Sequence, residues 1–267
     1  MNFRPFDICR FVVLPGRKLY GLFVEVEPRP GVFHKLLGLT AEVNATLIYA
    51  SFSRTLETYR VIAFLDFTNA TTDLKDIIEK IRAVENVKYA GIIEPVMEGF
   101  IADNISLPLV IGKERAVIFE SSGFKYLIEK LREQFGSAGE AVLYYMGFNV
   151  GLGYGNNYKQ IGSLLGIKTP REIIEKICIP IFQSIGFGLL EIIELKEKPL
   201  YVKARIHNNF ECELSSKQQE KPFSHLIRGL LAGLITAIFE KDALAREIKC
   251  ITIGNPYCEF EIIPKQD

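Results

Sequence analysis

The sequence predicts an α/β (α+β) fold in two parts, and three observations carry that reading. Residues 18–95 read as strand-type and helix-type stretches in the order βαββαβ. The later residues group into helical runs interleaved with two hairpins. The length of 267 residues exceeds one average domain, and 48% hydrophobic residues is ample for two cores. We place the boundary after residue 97, giving units 1–97 and 98–267.

KLYGLFVEVE alternates as a strand, with Tyr20, Leu22, Val24 and Val26 on one face and Phe23 on the other. PRPG turns the chain into GVFHKLLGLTAEVN, where Val32, Phe33, Leu36, Leu37 and Thr40 form a helical stripe. ATLIYASFSR and YRVIAFLDF are strands joined by a polar turn. TTDLKDIIEKIRAVENV sets Leu74, Ile77, Ile78, Ile81 and Val84 on one helical face, and VKYAGIIEP closes the module. Two helices over one face of an antiparallel sheet is a ferredoxin-like plan. The second face carries Phe23, Ile62 and Phe64, too apolar for water, so a partner subunit or the second unit is expected to cover it.

VMEGFIADNISLPLVIGKERAVIF reads as a connector and entry strand. SSGFKYLIEKLREQFGS and AGEAVLYYMGFNVG are helical. The Gly151, Gly153, Gly155 series fails as a phosphate loop, because no strand precedes it and no Gly-Lys-Ser/Thr follows; small residues in a tightly packed helix, or at its end, account for it as well. TPREIIEKICIPIFQSIGFG is a helix capped by Thr169 with Pro170 at its first position. LLEIIELKEKPLYVKARIHNNFECEL is read as one hairpin around Lys198 and Pro199. PFSHLIRGLLAGLITAIFEKD is an apolar helix in which Gly229 and Gly233 permit close backbone approach, and a terminal hairpin ends the chain.

Lys+Arg and Asp+Glu balance at 32 each, which leaves no summed field for nucleic acid or an anionic membrane. The start, MNFRPFDICRFVVLPGRK, has no long apolar stretch, and LIRGLLAGLITAIF is short for a membrane span, so a cytoplasmic protein is expected. Five cysteines at irregular spacing do not form the even framework of a small secreted scaffold. Cys250 and Cys258 flank a turn centred near Gly254, which makes them opposed residues on one sheet face with Cβ atoms roughly 4.5–5.5 Å apart. A shared metal, a redox-active thiol pair, a cross-strand disulfide and plain packing all fit that placement. The histidines, His34, His207 and His225, show no metal-ligand spacing, and no Ser-His-Asp set, His-Glu-x-x-His motif or carboxylate pair suggests catalysis. Tyr144, Tyr145, Phe148, Tyr154 and Tyr158 can line an apolar pocket or fill a core.

Residues 18–95, with Arg29-Pro30-Gly31-Val32 between the first strand and helix, resemble an ACT domain. The resemblance implies a dimerising regulatory module whose loop, Arg29, Pro30, Gly31, Val32 and Phe33, takes an amino-acid carboxylate on helix-terminal amides. Pro28 stands where the most similar amino-acid-binding members place a polar side chain. Asn209-Phe210-Glu211, His225 to Gly233, and Lys249-Cys250 with Gly254 to Phe260 resemble the 4-vinyl-reductase domain family over roughly residues 100–265. That family is α/β, is related to subunits of vesicle-tethering complexes, and includes the sensing domain of phenol-responsive activators. The resemblance implies small-molecule binding, and Tyr144, Tyr145 and Phe148 are the residues expected to line a seat for an apolar or aromatic ligand. It also implies structural zinc on Glu247, Cys250 and Cys258, with Ser224 standing where the phenol-sensing relatives have a further cysteine. Cys212 and His225 are the substitutes at hand, and Glu247 reaches the cysteine face only if a bulge intervenes.

The expected function is that of a non-enzymatic sensor: a homodimer that binds a small molecule and signals to a protein partner. The alternatives are an interaction scaffold like the tethering-complex subunits, holding an acyl chain, and an enzyme that reduces or hydrates a bound substrate.

Overall fold

In a computed structural model describing residues 4–55, 57–215 and 218–265, the βαββαβ order is present in full. Phe11–Val13 (β1) precedes it; Leu19–Val26 (β2), Val32–Glu42 (α1), Thr46–Arg54 (β3), Tyr59–Asp66 (β4), Leu74–Arg82 (α2) and Val87–Ile93 (β5) follow in sequence. The four long strands form an antiparallel sheet in the order β3-β4-β2-β5. Leu22, Val24 and Val26 of β2 and Val61 and Leu65 of β4 meet Val32 and Leu36 of α1 and Leu74, Ile77, Ile78 and Ile81 of α2 in one core. Leu37 departs from the predicted stripe and is exposed. Gly31, at φ 82, turns the chain into α1, a conformation that a residue with a Cβ rarely adopts.

The cover expected from a partner or from the other unit comes instead from the chain around this module. β1 pairs with Phe100–Ala102 (β6), and Cys9, Val12 and Ile101 close over Leu19, Ile62, Phe64 and Ile93. Ile101 and Phe64 are fully buried there, each side chain adding about 1.5–3 kcal/mol of transfer free energy. A Cβ on Gly21 would meet Ile93 Cβ at 2.8 Å and Ile101 Cδ1 at 3.3 Å, so the ribbon lies close against the sheet. A short pair, Val110–Ile111 (β7) with Glu114–Arg115 (β8), follows. Contacts divide the chain into two units, Met1–Val117 and Ile118–Asp267, which places residues 98–117 with the N-terminal module.

The second unit sets helices against an antiparallel sheet, in the sequence Ser121–Phe135 (α3), Ser137–Leu164 (α4), Pro170–Ile173 (α5), a π turn at Ile174–Cys178, Ile179–Ser184 (α6), Leu189–Glu197 (β9), Leu200–His207 (β10), Phe210–Glu213 (α7), His225–Phe239 (α8), Ala243–Lys249 (β11) and Cys258–Pro264 (β12). Sheet order is β11-β12-β10-β9. Thr169 caps α5 by accepting from Glu172 N–H, as its position predicts. Pro180 has no N–H to continue a regular helix, and the wider π turn lies directly before α6. The mixed α/β architecture with antiparallel sheets is the one the sequence predicts. No helix among the described residues is long and apolar enough to cross a membrane.

Two glycine rows set the spacing of α4 and α8. A Cβ on Gly147 would lie 1.9 Å from Leu226 O, on Gly151 2.2 Å from Leu230 O, on Gly229 1.9 Å from Tyr144 O and on Gly233 2.0 Å from Phe148 O. Real side chains do not approach a carbonyl oxygen so closely, so backbone rests on backbone. Contacts advance in the same direction along both helices, which therefore run parallel.

One predicted element is corrected. The stretch HNNFECEL does not continue the β9–β10 hairpin: β10 ends at His207, Asn208 turns at φ 52, and the Asn209 side chain accepts from Glu211 N–H to start α7. Asparagine tolerates the left-handed region and supplies its own cap, which stops the strand.

Candidate metal centre and its surroundings

β11 and β12 pair Lys249 with Glu259, which sets Cys250 and Cys258 next in register. A 3-10 turn, Ile251–Ile253, and Gly254 at φ 93 join the strands. The Asn255 side chain fixes this turn by accepting from Cys250 N–H at 3.0 Å. Between Glu247 and Lys249 the register shifts, and this irregularity brings the Glu247 carboxylate to the cysteine face. The fourth member arrives from α7. Cys212 Sγ lies 3.4 Å from Cys250 Sγ and 3.6 Å from Cys258 Sγ, and the latter two are 3.9 Å apart.

One donor atom from each of Cys212, Glu247, Cys250 and Cys258 falls within 4.8 Å of the others. All three thiols are buried and all five cysteines are free. A tetrahedral thiolate site with zinc–sulfur bonds near 2.3 Å has sulfur–sulfur edges of about 3.8 Å. The observed separations bracket that value and are far from the ~2.05 Å of a disulfide. The donor set therefore fits a closed structural zinc site of three sulfurs and one carboxylate. Ser224, at the entrance to α8, stays outside the donor set and braces it: its Oγ donates to Glu247 Oε1 at 2.8 Å, and its N–H donates to Glu247 Oε2 at 3.0 Å. Asn209 Nδ2 donates to the same Oγ at 2.8 Å.

The electrostatics point the same way. Hydrogen bonds from Cys212 and Cys258 hold the Cys250 thiol well below its usual range, and Cys212 is driven up as a donor to both. Burial first, and the charge on Cys250 second, push Glu247 up to about 8. Four acidic groups crowd one buried point, and a divalent cation is the natural counter-charge.

Glu211, beside Cys212, is fully buried. It accepts Leu226 N–H at 3.1 Å and Ile227 N–H at 2.8 Å, so it caps α8 from a distance, and it meets Arg132 Nη2 of α3 at 3.0 Å. Burial raises its carboxyl to about 7, against the pull of those amides and Arg132. Arg132 also lies 3.5 Å over the Phe223 ring and donates to Phe223 O.

His225 stands apart from the cluster. Arg228 Nη2 lies 3.0 Å from its Nδ1, and burial, with the Arg228 and Arg132 charges, lowers its pKa from 6.5 to about 4. The ring is thus neutral near pH 7, and its 3.6 Å approach to Glu140 is not an ion pair there. Unfolded His225 takes up a proton below pH 6.5 while the folded ring resists until about 4, so the stability present above 6.5 drains away as pH falls through this window. His225→Gln is expected to reduce the drop in urea midpoint between pH 7 and pH 5. An unchanged drop would show that His225 does not contribute to it.

The predicted ligand residues lie elsewhere. Tyr144 is half-buried, its ring centroid 6.4 Å from Phe148 in a stacked pair and 5.6 Å from Tyr145, which is 64% exposed. A larger aromatic cluster, of which the sequence singles out only Tyr154, links Phe124, Phe210, Phe187 and Phe182 at centroid distances of 5.4, 5.4 and 5.2 Å, with Tyr154 6.4 Å from Phe187. In the N-terminal unit, Arg29 is exposed beside Glu27, Val32 is buried, and Phe33 packs on Phe52 and Tyr59. The Arg29, Pro30 and Gly31 backbone forms the turn ahead of α1.

Three comparisons bear on this arrangement. The V4R domain profile matches residues 202–264, which run from β10 through the cysteine hairpin. Two uncharacterized proteins of Methanocaldococcus jannaschii are similar. MJ1642 is 27% identical over 49% of this chain and 69% of its own length, and MJ1460 is 33% identical over 39% of this chain and 60% of its own length. Among solved structures, the phenol-responsive sensory domain of the transcription activator PoxR, with phenol, superimposes with a TM-score of 0.52. It does so at 17% identity, over 58% of this chain and 79% of that one, a likeness of fold.

Proposed function

We propose that this protein is a small-molecule-responsive regulator. Its C-terminal unit seats an apolar or aromatic compound, and structural zinc on Cys212, Glu247, Cys250 and Cys258 pins the terminal hairpin to α7. The observation that carries the reading is the convergence of those four donors where α7, the start of α8 and the β11–β12 turn meet. When bound, zinc supplies a closed, non-redox cross-link and no open coordination position for catalysis. The chain's own residues do the rest: Ser224 orients Glu247, Asn209 orients Ser224, and Glu211 anchors α8.

The aromatic cluster around Phe210 and Phe187 and the α4 aromatics Tyr144, Tyr145 and Phe148 are the two candidate seats for the ligand. The likeness to the PoxR domain supports a phenolic or similarly aromatic compound. Arg29 to Phe33 of the N-terminal unit are assigned to an amino-acid carboxylate, as ACT-like modules bind it. Ligand binding shifts the population between two packings, and a protein partner reads the change. We assign no catalysis, a cytoplasmic location and a homodimeric state.

Native mass spectrometry of freshly purified protein tests the reading, followed by thermal-shift titration with phenol and simple amino acids. One zinc per chain and a saturable, dose-dependent rise in melting temperature with phenol are expected. Bare polypeptide mass together with no shift from any compound would overturn it. A tightly retained acyl chain would replace it with the scaffold reading.

A further inference from the structure

Four consecutive residues, Asn209 to Cys212, carry contacts into four different parts of the C-terminal unit. Asn209 holds Ser224, the residue before α8. Phe210 sits between Phe124 of α3 and Phe187, with centroids 5.4 Å from each. Glu211 takes two amides at the start of α8 and the Arg132 guanidinium of α3. Cys212 reaches Cys250 and Cys258. The helix that bears three of them, α7, has only four residues, begins on an Asn cap and leaves no slack between these anchors. Its backbone cannot move at Cys212 without displacing Glu211 and Phe210.

We infer that α7 is a transmission element through which zinc occupancy of the cysteine cluster governs the packing of the aromatic cluster and the anchoring of α8. This rests on the reading that Cys212, Glu247, Cys250 and Cys258 hold zinc. With Cys212 ligated, Glu211 stays on the α8 amides and Phe210 stays between Phe124 and Phe187, so α3, α7 and α8 hold one arrangement. With Cys212 released, the described contacts hold α7 to the hairpin only indirectly, through Asn209, Ser224 and Glu247. The Glu211 carboxylate then leaves Leu226 and Ile227, Arg132 loses its counter-charge, and the Phe210 ring leaves its neighbours. The sulfur supplied by α7 is what makes the centre transmit. A ligand from the start of α8 itself, at position 224, would fix α8 directly and reach α7 only through the Asn209 side chain.

Coupling of this kind is reciprocal: if zinc stabilises the Phe210 and Glu211 contacts, those contacts must strengthen zinc binding by the same factor. The test uses the full chain and zinc chloride. In the first arm, hydrogen exchange is compared between zinc-loaded and chelator-stripped protein. Protection of the Leu226 and Ile227 amides is expected to fall at least tenfold on stripping, while that of the β2 and β4 amides in the N-terminal unit is unchanged. The second arm does not require the stripped protein to stay folded. Zinc affinity is measured by competition with a chromophoric chelator for wild type, Glu211→Gln and Phe210→Ala. Neither side chain is in the donor set, yet each variant is expected to bind zinc five- to tenfold more weakly, and Leu164→Ala, exposed at the end of α4, is expected to match wild type.

Wild-type protein that takes up no zinc would overturn both the metal reading and this inference. Protein that binds one zinc per chain, with both variants within twofold of wild type, would overturn the inference and leave the metal reading standing. Should stripping unfold the unit entirely, the affinities of the two variants decide.

Discussion

Gly229→Ala is expected to destabilise the C-terminal unit by about 3 kcal/mol or more, although alanine is the better helix former by roughly 1 kcal/mol. The added methyl carbon would lie 1.9 Å from Tyr144 O and 2.9 Å from Phe148 N, both main-chain atoms that cannot rotate away. Relief requires α4 and α8 to separate along their length, which also lifts the contacts at Gly147, Gly151 and Gly233. Gly153→Ala is the control: it lies on the same α4, and apart from its own turns of helix nothing stands within 4 Å of its added carbon. Its helix gains propensity, and the unit is expected to be unchanged or up to about 1 kcal/mol more stable. Urea unfolding followed by circular dichroism separates the two. A Gly229→Ala variant as stable as Gly153→Ala would show that the helices are not in backbone contact.

Removing zinc is expected to have an effect of similar size. A ligand that binds only the folded state adds about 4 kcal/mol when its free concentration is a thousandfold above the dissociation constant. Without the cation, Cys212 and Cys258 are held protonated and the half-buried Glu247 is pushed up to about 8, while the Cys250 thiolate is left as a buried charge with no cation beside it. Cys250→Ser is expected to lower zinc content from one per chain to a small fraction and to abolish the stabilisation that added zinc gives. Cys178→Ser, another buried thiol, lies in the α5–α6 segment, outside the donor set, and is expected to keep full zinc content despite a core penalty of its own. Thermal unfolding with and without chelator, with metal content measured in parallel, checks both. Full zinc content in Cys250→Ser would remove the assigned ligand set.

The sequence made the long elements visible because their periodicities are long enough to be unambiguous. β2 buries alternate residues, and α2 buries Leu74, Ile77, Ile78 and Ile81 as spaced. The opposition of Cys250 and Cys258 followed from counting residues about a turn, and Gly229 and Gly233 marked a close helix approach four residues apart. Cys212 was harder to place. It lies on a four-residue helix, too short for any hydrophobic period, started by a side-chain cap that reads equally well as the end of a strand. Its part in the cluster depends on a contact 38 residues away along the chain, which no local pattern encodes. Likewise β1 and β6 have three residues each and pair across 89 positions, so the cover over the N-terminal sheet could not be read locally. The aromatic cluster joins Phe124, Phe210 and the neighbouring Phe182 and Phe187 from three separate segments, and only the fold gathers them.

The β1–β6 ribbon bears on how this module can be reused. A sheet whose oily side is already roofed by its own flanking strands needs no matching surface on whatever it is joined to. The same self-sufficiency narrows its options, since any assembly through that side must first evict Val12 and Ile101 from their seats.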